Sequence, residues 1–224
     1  MGTGRDQSGL TLETALQSRD VELPAATRQK LADWCQRLWQ ANRQVNLTRH
    51  TDWQTFVDRD LSDVLQLSEL LEPEQEILDI GSGGGVPGLV LAILRPDLTI
   101  SVCDSVGKKA RLLQSFCEDL DLPVTVFAER AENVLDDFSF DCCTARAVGP
   151  LWKIFSWLDG RWASIRRLYA FKGPRWRDEL GEAKERRLTR RLLVKPVARY
   201  PLHSTDPQAR ALESVILRIK YDPH

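Results

Sequence analysis

Apolar residues change their spacing near residue 72. Before that point they recur at helical intervals. Residues 24–43 open with Pro24 and carry Leu31, Trp34, Cys35, Leu38 and Trp39, three or four apart or adjacent on one helical stripe. The stretch 53–71 repeats the pattern with Trp53, Phe56, Val57, Leu61, Val64, Leu65, Leu67 and Leu71. Beyond it, short apolar runs at 76–80, 99–104, 123–127, 139–145 and 167–171 read as strands. Helical runs at 87–94, 107–120, 130–135 and 149–158 lie between them. That alternation predicts a parallel sheet covered on both faces. A charged helix over 177–188 follows, then strands at 191–199 and 213–220 joined by a polar loop from Pro201 to Arg210. Seven strands, the last two forming a hairpin, predict a doubly wound α/β sheet. Residues 1–72 are expected to form a helical N-terminal cap and 73–224 one compact unit. The first ten residues carry no pattern and are expected to be disordered.

Composition adds constraints. Hydrophobic residues make up 42% and charged residues 28% of 224, ordinary for a soluble globular protein. No apolar run reaches the roughly 20 residues that span a bilayer, and the amino terminus lacks a signal-peptide core. A cytoplasmic chain with no membrane partner is expected. The five cysteines (Cys35, Cys103, Cys117, Cys142, Cys143) form no CxxC pair and read as reduced core thiols. The three histidines are scattered, and no metal is expected. The net charge of −1 hides a segregation. Thr51–Asp79 holds nine acids and one base, whereas Arg161–Tyr200 holds thirteen Lys/Arg and four acids. The basic portion implies either an anionic partner or a solvated helix face laced with ion pairs.

The densest chemistry is in Asp79-Ile80-Gly81-Ser82-Gly83-Gly84-Gly85-Val86-Pro87-Gly88, between a strand and a helix. Glycines let backbone approach a ligand closely. Twenty-five positions after Asp79, Asp104 ends the next strand, where an acid can hold ribose hydroxyls. A G-x-G-x-x-G dinucleotide fingerprint fails when counted from Gly81, because Val86 occupies its third glycine. It fits only from Gly83, through Gly85 and Gly88. An acid two residues before Gly81, able to accept from an ammonium group or to orient the loop, favours S-adenosyl-L-methionine. The expected fold is a Rossmann-like seven-stranded S-adenosylmethionine-dependent methyltransferase.

Several motifs in one order resemble the bacterial RsmG (GidB) small-subunit ribosomal RNA methyltransferases. They are Asn46-Leu47-Thr48, the Asp79–Gly88 run with its Pro87-Gly88 ending, and Asp104-Ser105-Val106-Gly107-Lys108-Lys109. Arg130-Ala131-Glu132, Ala145-Arg146-Ala147 and Phe171-Lys172-Gly173 continue the series. One departure is Arg59-Asp60-Leu61-Ser62-Asp63, with Asp60 where the family commonly has histidine. The resemblance implies methylation at N7 of one guanine in 16S ribosomal RNA, on naked RNA or a small-subunit particle, by a protein expected to be monomeric. It implies a cofactor site of Asp79, Gly81, Ser82, Gly83, Gly85, Val86, Asp104, Ser105, Ala131, Glu132 and Arg146. Arg146 and Lys172, each after an apolar strand, are the candidate catalytic residues, as clamps on the substrate. Arg161, Arg166, Arg167, Arg175, Arg177, Arg186, Arg187, Arg190 and Arg191 are expected to track phosphates, with Trp162 and Trp176 stacking on bases and the acidic segment facing away. The alternatives are the same fold acting on another RNA or a small molecule, and a non-catalytic RNA-binding assembly factor.

Overall fold

A computed structural model describes residues 9–201 and 213–222. The expectations for residues 1–8 and for most of the Pro201–Arg210 loop lie outside them. Seven strands form one sheet in the order β3-β2-β1-β4-β5-β7-β6. They are β1 (Glu76–Ile80), β2 (Thr99–Cys103), β3 (Thr125–Phe127), β4 (Phe140–Arg146), β5 (Ile165–Lys172), β6 (Leu192–Pro201) and β7 (Glu213–Tyr221). The first five run parallel, and β7 enters antiparallel between β5 and β6. All seven expected strands are present, most shifted at their ends by a residue or two.

Side chains alternate across the sheet, so each strand feeds two cores. Ile77, Ile100, Cys142, Tyr169 and Ile216 face one core; Leu78, Cys103, Cys143, Leu168 and Leu217 face the other. The first is closed by α1 (Leu12–Gln17), α2 (Ala25–Asn42), α4 (Ser62–Ser68), α5 (Gly88–Leu94) and α6 (Gly107–Asp119). The second is closed by α7 (Ala131–Asp137), α8 (Leu151–Leu158) and α9 (Trp176–Glu185). The N-terminal helices therefore share one apolar cluster with the sheet. Trp34, Leu38, Leu61 and Leu67 pack in it with Leu89 and Ile77, each fully buried Leu or Ile contributing about 1.5–3 kcal/mol. All five cysteines are buried, as expected of core thiols, and burial pushes Cys103 and Cys142 up to about 12.

Two N-terminal features differ from expectation. Helix α1 is present although its apolar face is only a few residues long. Thr11 and Thr14 supply a reciprocal cap at its start. The helix expected over 53–71 is not uniform. A short α3 (Trp53–Thr55), capped by Asp52, passes into a π-helical turn over Phe56–Leu61 before α4 resumes. A π turn is invisible to 3.6-residue periodicity, and such turns are frequent at functional sites.

Candidate active site

Asp79, next to last in β1, is almost fully buried and holds the following loop from below. Its Oδ2 accepts from Ser82 Oγ at 2.5 Å and from the Gly88 N–H at 3.0 Å; its Oδ1 accepts from Thr144 Oγ1 at 2.8 Å. Of the two roles open to this acid, the geometry is that of orienting the loop. Burial pushes its carboxyl up to about 6, against the lowering effect of these donors. Gly81, Gly83 and Gly85 adopt φ of 67°, 58° and 104°, the region side chains disfavour. Gly88 allows a close approach instead: a Cβ there would lie 2.5 Å from Val102 Cγ1 and 2.9 Å from Asp79 Oδ2.

Asp104, one residue past β2, joins the loop to the next helix. Its Oδ2 accepts from the Gly83 N–H at 3.1 Å and its Oδ1 from the Val106 N–H at 2.8 Å. Each oxygen keeps a second lone pair. A Cβ at Gly83 would meet no atom nearer than 3.8 Å, so open space faces the loop beside this carboxylate. Ser105 is exposed and Glu132 is half-buried in the first turn of α7. Ser82 turns its hydroxyl under the loop, Gly85 abuts Leu89, Val86 packs on the first core and Ala131 on the second. These four can meet a ligand mainly through backbone. The bare loop, the paired oxygens of Asp104 and the start of α7 at Ala131 and Glu132 fit a cofactor with an amino-acid tail, a ribose and a base.

A cavity of about 930 Å³ opens on the other flank of β4. It is lined by Asn46–His50, Arg59, Asp60, Asp63, Arg146, Ala147, Phe171–Gly173, Tyr200 and Ser214, and by none of the loop glycines. The segment after β4 joins the two halves, since Val148 packs directly against Gly81. Arg146 occupies the boundary as a half-buried fork. Its Nε donates to Asp63 Oδ2 at 2.7 Å and its Nη2 to Asp60 Oδ1 at 2.5 Å. Burial alone would lower its pKa, but the two carboxylates more than offset this and raise it. Burial likewise works to raise Asp60, yet His50, 3.4 Å away, and Arg146 hold it below the usual carboxylate range. The Tyr200 hydroxyl donates to Asp63 Oδ1 at 2.6 Å. Lys172 is also engaged: its Nζ lies 2.5 Å from the Gly149 carbonyl and 2.8 Å from Glu179 Oε2.

This arrangement corrects three expectations. The acidic segment does not lie wholly away from the cavity, because its Asp60 and Asp63 neutralise Arg146 at the cavity wall. Trp162 and Trp176 do not form a stacking surface. Each is 7% exposed and sits in the second core, where its large apolar ring fills space under the sheet. Three of the expected phosphate-tracking arginines are paired instead: Arg161 with Asp136, Arg166 with Asp141 and Arg167 with Glu72. Arg175, Arg177, Arg186, Arg187, Arg190 and Arg191 remain exposed. Sequence reasoning missed His50, Thr144, Tyr200 and Asn42, whose side chain pins Leu47 and Thr48 by three hydrogen bonds. All four lie outside the motifs singled out, though Thr144 immediately precedes one, His50 follows another by two residues and Asn42 precedes it by four.

A family model described as GidB, rRNA small subunit methyltransferase G, matches residues 27–201. The chain belongs to this family. A curated relative from Rhodopirellula baltica, named Ribosomal RNA small subunit methyltransferase G, is 45% identical over 201 residues, covering 90% of this chain and 87% of its own. Among solved structures, an MtNAS mutant superposes with a TM-score of 0.59 at 16% identity, covering 97% of this chain and 84% of its own. A Geobacter metallireducens precorrin-6y C5,15-methyltransferase superposes with a TM-score of 0.52 at 14% identity, covering 79% and 92%. At such identities these two speak for the fold alone, a seven-stranded doubly wound sheet as the strand pattern predicts, and of the Rossmann-like methyltransferase kind that the glycine loop adds. Among the described residues no helix is long and apolar enough to cross a membrane, and no group of three or more His, Cys, Asp or Glu is arranged for a metal.

Proposed function

We propose that this member of the family methylates N7 of a guanine in 16S ribosomal RNA, with S-adenosyl-L-methionine bound on the loop side and the base in the cavity. The observation that carries the reading is the junction at the end of β4. There Val148 meets Gly81 while Arg146 lines the cavity, so one short segment touches both the glycine loop and the cavity, which supports reading them as neighbouring cofactor and substrate sites.

Asp104 would hold the ribose hydroxyls, Gly81 and Gly83 the amino-acid portion, and Ala131 and Glu132 the adenine. When bound, S-adenosylmethionine supplies a methyl group on a sulfonium. Guanine N7 carries an in-plane lone pair and loses no proton on alkylation, so the residues need only place it in line, close to attack distance. Asp79 fixes the loop, and Asn42 fixes the Asn46–Thr48 wall. Arg146 and Lys172 are the substrate-side cations, and neighbouring acids offset their charge. Asp60, Asp63 and Arg146 together leave one surplus negative charge beside a base that gains positive charge. That is electrostatic stabilisation of the product-like state. An Arg or Lys donor can meet guanine O6 without blocking N7.

The test is incubation with labelled S-adenosylmethionine and small ribosomal subunits from a strain lacking the enzyme, followed by mapping of the modified base. A single N7-methylguanine in 16S RNA is expected. Label on another base, or none, would overturn the assignment.

A further inference from the structure

The cations singled out by sequence, Arg146 and Lys172, are already neutralised by Asp60, Asp63 and Glu179. A different arginine at the same cavity is not. Arg59 lines the cavity, and its Nε is buried without a hydrogen-bond partner. Among the described residues it makes no ion pair. A buried guanidinium donor without an acceptor is unfavourable. Burying such a group at a cavity wall makes sense where an incoming ligand supplies the acceptor.

The π-helical turn explains how it gets there. Over Phe56–Leu61, Phe56, Val57 and Leu61 enter the first core, and Asp58 pairs outward with Arg19. The consecutive residues Arg59 and Asp60 both reach the cavity, and Asp63 follows. The turn and the first residues of α4 thus deliver one unpaired cation and two paired acids to a single wall. Exposure is graded along the lining: Arg49 is exposed, Arg59 half-buried and Asp60 buried. Negative charge lies inside around Arg146, and the available positive charge lies toward solvent. An anion is repelled from the inner part and attracted to the outer part. A neutral base is admitted within. A guanidinium also matches phosphate oxygens by forked donation.

We infer that Arg59 is a phosphate-binding residue, receiving a backbone phosphate of the RNA strand whose base enters the cavity. Arg146 and Lys172, already paired with acids, are left to meet the base, and Arg59 meets the backbone charge. This rests on the reading of the chain as an RNA methyltransferase.

The test compares wild type with Arg59→Gln and Arg59→Lys. Binding to small ribosomal subunits is measured over a range of salt, together with methyl transfer and calorimetric cofactor binding. Arg59→Gln removes an unsatisfied donor and should fold; its cofactor affinity should match wild type. Loss of one phosphate contact should make the slope of log binding constant against log salt shallower by about 0.7–1. KM should rise about tenfold with kcat changed little, and Arg59→Lys should restore part of both. A variant with wild-type slope overturns the assignment, and so does a raised KM with an unchanged slope. The two readings fail separately. If wild type transfers no methyl group yet Arg59→Gln still flattens the slope, the activity falls and the phosphate site stands. If wild type transfers methyl and the slope is unmoved, the activity stands and the phosphate site falls.

Discussion

Asp79→Asn isolates the cost of ionising one carboxyl beneath the cofactor loop. The amide keeps the shape: its oxygen can accept from Ser82 and Gly88, and its nitrogen can donate to Thr144, whose hydroxyl also accepts. What disappears is the titration. In the unfolded chain the carboxyl titrates near 3.8; in the fold, burial raises it to about 6. Between those values the folded protein keeps a proton that the unfolded chain has lost. Stability from this group is therefore fully present below pH 3.8 and lost as pH rises through about 6. The whole shift is worth about 3 kcal/mol at 1.36 kcal/mol per pH unit, of which about 2 kcal/mol falls between pH 4.5 and 7.5. The variant carries no such dependence. Relative to wild type it should gain about 2 kcal/mol across that range, or roughly 4–8 °C in Tm for a protein of this size. Urea melts of both proteins at several pH values read the gap directly. A gap that does not change with pH would refute the account of Asp79 as a desolvated, ionised loop anchor.

Asp104→Ala removes the acceptor of the Gly83 and Val106 N–H groups and the proposed partner of the ribose; calorimetry with S-adenosylhomocysteine should show a loss above a hundredfold, about 3 kcal/mol. Arg146→Met leaves Asp60 and Asp63 facing each other without their counter-charge. It should destabilise the fold by about 3 kcal/mol at pH 8, and by less at pH 5 as an acid takes up a proton, in paired chemical melts. Gly88→Ala drives a methyl into Val102 and Asp79, so thermal melts should show a loss of about 1–3 kcal/mol together with weaker cofactor binding.

The sheet was readable in the sequence because its strands are buried on both faces, which writes them as short apolar runs such as Ile77–Ile80 and Leu168–Phe171. The loop was readable because positive φ and close approach leave glycine as the favoured residue at each turn. The substrate side was less legible, for a physical reason. Charge identity says nothing about charge partnership. Arg146 and Lys172 read as available cations after apolar strands, yet their partners lie 83 to 86 residues away in one case and only seven in the other. Trp162 and Trp176 sit among arginines in sequence but below the surface in space. The π turn was hidden because it adds a residue to a helix without changing which residues are apolar.

The position of β7 has a consequence for how the chain is made. Inserted between β5 and β6, it is the last of the seven strands in chain order and the one that joins β6 to the rest of the sheet. Until about residue 221 has emerged, β6 has no sheet neighbour and β5 presents an open backbone edge. The five parallel strands can pair as they emerge, but the sheet is completed only after β7 has been made, because both pairings at its β5 side wait for that strand. In that interval the nascent chain is open to edge-to-edge pairing with another copy, and that interval, rather than the finished fold, is where a holding chaperone would matter.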